Sequence, residues 1–165
     1  MFTTIAAFAA EWENEAELTE RVLDRLTDES LRQEMAAGRR TLGALSWHLV
    51  SSIDYAAALG LRIEGADEEK RAPERASEIA KEYRRMCMAL LQAVREQWSD
   101  ESLGETQTVA GEEWRNGATL RFMLMHQAHH RGQMTALMRQ AGLRPPEIYG
   151  PTYETWIDKG MEPLA

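Results

Sequence analysis

Three of the chain's four histidines lie within the stretch MHQAHHRGQM, at positions 126, 129 and 130. Imidazole nitrogens bind divalent cations, and two histidines four residues apart on one helix form a chelating pair. His126 and His130 have this spacing, which places them about 40° apart around a helix axis. The spacing therefore predicts that they share one face of a helix, with His129 at its border.

The fourth histidine, His48, falls on the apolar stripe of another predicted helix, a position that points inward in a bundle. Three buried neutral imidazoles each need a polar partner, and one divalent cation would satisfy all three. The spacing alone does not decide between two alternatives: a metal site, or core histidines that hydrogen-bond to other protein groups. Gln127 occupies the place of the catalytic glutamate of an HExxH motif, so the chain is not a zincin.

The elements that must position these residues are four long blocks with apolar residues every three or four positions, which indicates an all-α chain. Loops with Pro, Gly and charged residues separate them, and QTVAGEEW between the third and fourth blocks is expected to be extended. Such helices most economically form a four-helix bundle, and the long connections 27–40 and 99–117 predict at least one crossover. The blocks run from about Thr4 to Leu26, from Thr41 to Arg62, from just after Pro73 to Trp98, and from Asn116 to Ala141.

Length and composition indicate a single domain, residues 1–165, with 44% hydrophobic residues to fill a core. The net charge of −8 repels phosphate backbones, so a nucleic-acid partner is not expected. Cys87 is the only cysteine and cannot form an internal disulfide. With no basic leader and no apolar run near 18 residues, we expect a cytoplasmic protein without a membrane partner.

Three segments resemble, in order and spacing, the DinB/YfiT-like family of metal-dependent proteins: TLGALSWHL, HQAHHRGQ and GLRPPEIYGPTYETW. The resemblance spans nearly the whole chain. It implies an up-down-down-up four-helix bundle with a long crossover, and a homodimer. It also implies a divalent metal held by one histidine of the second helix and two of the fourth, which by position are His48, His126 and His130.

An ion with three neutral ligands keeps its charge and its open positions, so it activates a bound water or a bound thiol. The resemblance favours a thiol-dependent S-transferase that uses a low-molecular-weight thiol on a small-molecule substrate. Imidazole ligands suit zinc, nickel, iron or copper, so the residues do not decide the metal. Metal-dependent hydrolysis is the next hypothesis. The third is a non-catalytic, stress-induced binding or structural protein, which a fourth protein ligand, Cys87 or a carboxylate, would indicate.

Several residues near the histidines have a weaker case for function than for packing. Ser52, Tyr55 and Tyr149 are candidates for contact with bound water or substrate, while Asp54 is a candidate base. Other neighbours are expected to support the site: Trp47 beside it, Arg131 and Gln133 as contacts to ligands or between helices, and Gly132 where a neighbouring helix approaches.

Overall fold

The computed structural model describes residues 1–66, 71–109 and 111–163. This description leaves out residues 67–70 of the predicted charged linker, Ala110 of the predicted extended segment, and residues 164 and 165 of the predicted domain. The all-α four-helix bundle is confirmed, with one small two-stranded sheet added to it. The helices are α1 (Ile5–Leu23), α2 (Leu42–Ser51), α3 (Ala76–Gln97), α4 (Asn116–Gln140) and the short α5 (Tyr153–Asp158).

The four long helices share one hydrophobic core. α1 packs against α3 and α4, and α2 packs against the same two helices, so α3 and α4 lie between α1 and α2. The connection from α1 to α2 therefore crosses the bundle, as the long segment 27–40 predicted. No described helix combines the length and the apolar character needed to cross a membrane.

Side-chain caps define where the helices begin. The hydroxyl of Thr4 accepts a hydrogen bond from the backbone N–H of Ala7, and Thr41 accepts one from Ala44 in the same way. The start of α3 is capped from a distant loop, because the Asp28 carboxylate accepts from the N–H of Ala76 at 2.8 Å. Each cap satisfies an N–H group that has no partner within its helix.

The prediction of one continuous helix from Thr41 to Arg62 was wrong. The α-helix α2 ends at Ser51, and a 3-10 helix follows it, Ser52–Leu59. The hydroxyls of Ser51 and Ser52 donate to the carbonyls of His48 and Leu49. Hydroxyls bonded back to carbonyls in this way compete with the α-helical backbone pattern. The shorter α2 places His48 in its last turn, directly before the change of helix type.

Two glycines of α4 have opposite surroundings. A Cβ at Gly117 would lie 2.1 Å from the carbonyl oxygen of Phe2, whose N–H donates to the carbonyl of Gly117. The N-terminal segment therefore passes too close to the start of α4 for any side chain there. Gly132 is exposed, and a Cβ on it would meet nothing within 4 Å. The prediction that Gly132 admits a neighbouring helix was wrong.

The extended segment before α4 is an antiparallel hairpin, in which β1 (Thr106–Val109) pairs with β2 (Glu112–Arg115). Gly111 in its turn has a φ of 85°, which glycine adopts without strain. β1 contacts the 3-10 helix that follows α2, and β2 contacts α4. The hairpin therefore lies against both of the elements that carry the histidines.

Candidate metal centre

His48, His126 and His130 converge at the interface between α2 and α4. The Nε2 atom of His126 lies 3.2 Å from Nε2 of His48 and 3.1 Å from Nε2 of His130. Their ring centroids are 4.5–4.9 Å apart, and the rings stand nearly perpendicular to one another. The two histidines of one helix, on one face as their spacing predicted, thus meet the inward-pointing histidine of another helix.

The surroundings of the three rings favour neutral imidazoles. Burial, the largest cause, lowers the pKa of all three histidines, and the positive charge of Arg40 lowers each of them further. The pKa of His126 falls to about 4, because His130 and His48 add their own repulsion to the effect of burial. Neutral imidazole is the form that binds a metal ion, so these shifts favour cation binding at neutral pH.

A hydrogen bond to Gln133 orients the ring of His130. The Nδ1 atom of His130 lies 2.7 Å from Oε1 of Gln133, one helical turn further along α4. An amide oxygen only accepts, so Nδ1 donates the proton and Nε2 keeps its lone pair, aimed at the other two histidines. Histidines that bind metals commonly have such a partner on their second nitrogen.

The three nitrogens fit a shared divalent ion. The ligand atoms of the three histidines lie within 4.8 Å of one another. Nitrogens bonded to zinc at roughly 2.0–2.1 Å in a tetrahedral arrangement are about 3.3 Å apart. The observed separations of 3.1 and 3.2 Å are close to this value. A proton on one of these Nε2 atoms would satisfy only part of the cluster, whereas one cation would accept the lone pairs of all three nitrogens.

Among the residues that the structure describes, no cysteine or carboxylate joins the three histidines. Cys87 instead lies in the core beside α1, where its carbonyl accepts a hydrogen bond from the indole of Trp12. Burial raises the pKa of the Cys87 thiol to about 12. A thiol with this pKa is a poor ligand and a poor nucleophile at neutral pH.

Ser52 and Tyr55, the weaker candidates on the 3-10 helix, have different surroundings. Ser52 is buried and donates to the carbonyl of Leu49, while its oxygen lies 3.3 Å from the donating amide of Gln127. Its described hydrogen bonds are those of a satisfied core hydroxyl. Tyr55 is largely exposed, and its ring centroid lies 6.4 Å from that of His126. Of the two, Tyr55 is the one beside the histidines.

Gln127 links neighbouring helices through hydrogen bonds, a role that the sequence analysis did not predict. Its amide nitrogen donates to the carbonyl of Leu49 at 3.0 Å, and its oxygen accepts from the hydroxyl of Tyr83. Gln127 is buried and joins α2, α3 and α4. The spacing contained a signal for this position, because Gln127 lies four residues from the apolar Met123 and on the same side of α4.

Tyr149 lies with Arg131 on the side of α4 that faces α1. Arg131 is only 1% exposed, donates to the Glu15 carbonyl and the Thr19 hydroxyl, and pairs with the Glu15 carboxylate. The Tyr149 hydroxyl donates to that same carboxylate at 2.6 Å, and the guanidinium lies over the tyrosine ring. The described contacts of Tyr149 therefore hold the segment that follows α4, here called the tail, against α1. Arg131 acts as a helix-to-helix contact, as expected.

The remaining neighbours are spread around the site. His129 is exposed, and its ring centroid lies 4.9 Å from that of His130. Trp47, which was expected beside the site, is half-buried and packs against the hydrophobic core. Asp54 is half-buried, and its charge contributes to a raised pKa of Arg85, on α3. These contacts provide no geometric reason to assign a role in chemistry to His129 or Asp54.

Known proteins are similar to this chain in sequence and in fold. The DinB family matches residues 1–162, and the chain belongs to that family. An uncharacterized Bacillus subtilis protein, YrdA, is 43% identical over 163 residues, which is 98% of each chain. The crystal structure of a DinB-like protein from Bacillus cereus has a TM-score of 0.85 and 42% identity, covering 90% of this chain and 100% of the other.

A second crystal structure shows the fold alone. The DinB-like protein YjoA from Bacillus subtilis has a TM-score of 0.68 and 18% identity, covering 89% of this chain and 97% of its own. Together with the three converging histidines, membership of the DinB family points to a possible metal site in this chain.

Proposed function

We propose that this protein is a metal-dependent transferase that joins a small thiol to an electrophilic substrate. The observation that carries the proposal is the convergence of three Nε2 atoms without a described fourth ligand from cysteine or carboxylate. A divalent ion bound there would keep its positive charge and open positions, and it would lower the pKa of a thiol.

In the proposed reaction, the sulfur of the small thiol forms a bond to a carbon of the substrate. The bond from that carbon to its leaving group breaks, the leaving group departs with the electron pair, and the thiol proton passes to solvent. The chain's own histidines would hold the cation, and Gln133 holds the ring of His130 in place. Because the pKa of Cys87 is near 12, the thiol is that of a cosubstrate.

Elemental analysis of untagged protein tests the metal site. We expect about one divalent ion per chain in the wild type and a loss of it in His48→Ala. His129→Ala is the matched control, because His129 adjoins His130 but is exposed. Circular dichroism checks that each variant is folded. Equal metal content in His48→Ala and the wild type would remove His48 from the site.

Turnover of the metal-loaded protein tests the reaction class. We expect several low-molecular-weight thiols to be consumed with a model electrophile, 1-chloro-2,4-dinitrobenzene, and the rate to fall in His48→Ala. Release of the leaving group without thiol consumption would instead support hydrolysis. A stoichiometric metal without any turnover would support a non-catalytic metal-binding protein.

A further inference from the structure

Three aromatic side chains from separate elements meet beside His126. The ring of Phe122, one turn earlier on α4, stacks against His126 with centroids 5.9 Å apart and planes at 26°. Trp114 of β2 contacts Phe122 edge-on with centroids 5.7 Å apart, and the ring centroid of Tyr55 lies 6.4 Å from that of His126. We refer to Tyr55, Trp114 and Phe122 as the aromatic wall.

The aromatic wall is open to solvent. Phe122 is 47% exposed and Tyr55 is 55% exposed, whereas Trp114 is half-buried. None of the three belongs to the hydrophobic core or to the side chains packed against it. Single exposed apolar side chains are common on protein surfaces, whereas several aromatic rings grouped beside a cluster of histidines mark a candidate binding surface.

The chemistry of the wall indicates what it would bind. Aromatic faces are electron-rich and attract electron-poor planar groups that lie over them. Nitro and carbonyl groups withdraw electron density from the ring or double bond that carries them, so a planar ligand with such groups fits an aromatic surface. Thiols attack carbons that are conjugated with such groups, because the groups withdraw electron density from those carbons.

We propose that the aromatic wall is the binding subsite for the planar, conjugated part of an electrophilic substrate, held by stacking next to the three histidines. This inference rests on the proposed function, because it assigns the wall to the acceptor side of the same centre. Phe122 lies against His126, so a ring stacked on the wall is adjacent to the place where the thiol would be bound.

Binding of an unreactive probe to metal-free protein tests the subsite separately from catalysis. The probe is 1,3-dinitrobenzene, which is planar and electron-poor but has no leaving group, and nitrocyclohexane is the non-planar comparison. Calorimetry is expected to show binding of the planar probe and about fivefold weaker binding in Phe122→Leu, the loss of one aromatic pair. Tyr153→Leu, an exposed tyrosine of α5, is the matched control with unchanged affinity.

Fluorescence places the probe at the wall. Stacked nitroaromatics quench indole emission, so we expect the probe to quench the wild type and to lose much of this effect in Trp114→Phe. Equal affinity of 1,3-dinitrobenzene for the wild type and Phe122→Leu would overturn the proposal, as would equal binding of nitrocyclohexane.

Two other roles for the wall give different results. If Phe122 only orients His126, then Phe122→Leu weakens Zn²⁺ binding but leaves probe binding unchanged, which contradicts the subsite. If a second copy of the chain covers the wall, sedimentation shows a dimer that Phe122→Leu dissociates and the probe does not bind, which also contradicts it. Failure of the proposed transferase reaction leaves probe binding to metal-free protein intact, so the two proposals fail separately.

Discussion

The ring of His130 is constrained at both nitrogens, because Nδ1 donates to Gln133 and Nε2 faces His126 at 3.1 Å. Removing either contact frees the imidazole to rotate or to change tautomer. A hydrogen bond to the far side of the ring therefore influences how well the near side binds a cation.

Gln133→Leu is expected to weaken Zn²⁺ binding about 10–100-fold, because leucine cannot accept the proton on Nδ1. Competition with a chromophoric chelator measures the dissociation constant. Gln140→Leu, an exposed position on the same helix, is the control and should bind as the wild type does. Equal affinities for all three proteins would mean that Gln133 does not orient the ligand.

The burial of Cys87 makes the stability of the protein depend on pH, because burial raises the pKa of its thiol. Its pKa of about 12, against an ordinary value of 9.0, is due chiefly to desolvation. The folded protein therefore holds the thiol proton more tightly than the unfolded chain does, and this contribution to stability is lost as pH rises through 9 towards 12.

At pH 8 we expect iodoacetamide to modify the folded chain about 1000-fold more slowly than the chain in guanidinium chloride, in proportion to the thiolate present. Mass spectrometry gives an unambiguous result, because the chain has a single cysteine. Similar rates in the two states would place Cys87 at an accessible position and reopen its candidacy as a nucleophile.

At the scale of the elements, the two glycines of α4 predict opposite effects of the same substitution. Gly132→Ala is expected to stabilise the protein by about 0.5–1 kcal/mol, because alanine favours the helix and meets no neighbour. Gly117→Ala is expected to destabilise it, because the new methyl group collides with the carbonyl of Phe2. Denaturant unfolding of both variants measures the two changes, and destabilisation by Gly132→Ala would show an unforeseen contact.

Helical spacing predicted the directions of the three histidines, because the period of α4 and the apolar stripe around His48 each define one, but the resemblance to the family was needed to favour a metal site over core packing. Chain-local patterns could not predict the α2 boundary, where hydroxyls of Ser51 and Ser52 capture carbonyls. Nor could they predict the aromatic wall as a whole. Its members lie on three elements, although the i, i+4 spacing of Phe122 and His126 was a usable local signal.

At the scale of the whole molecule, the contacts of Arg131 connect the first helix, the last long helix and the tail. Its guanidinium pairs with Glu15, and the Tyr149 hydroxyl closes the cluster. A buried ion pair need not stabilise a fold relative to apolar residues, but loss of one partner leaves an uncompensated charge. Each member of the cluster therefore depends on the others.

Arg131→Met is expected to cost about 3–5 kcal/mol of unfolding free energy, and Tyr149→Phe about 1 kcal/mol. The matched control is Arg139→Met, which removes a more exposed ion pair between α4 and Glu154 of α5 and should cost less than about 1 kcal/mol. Thermal unfolding at neutral pH compares the three. Equal costs for Arg131→Met and Arg139→Met would show that burial does not govern the Arg131 pair.

The Arg131 cluster also bears on how the protein is made. Glu15 is synthesised before Arg131, whereas Tyr149 follows α4 and leaves the ribosome only after the four long helices. Until then the Arg131 guanidinium lacks its contact with the Tyr149 ring, so it is not completely buried in the nascent bundle. A message truncated shortly after α4 would therefore yield a chain with an incompletely covered charge, a natural substrate for chaperones and cellular proteases.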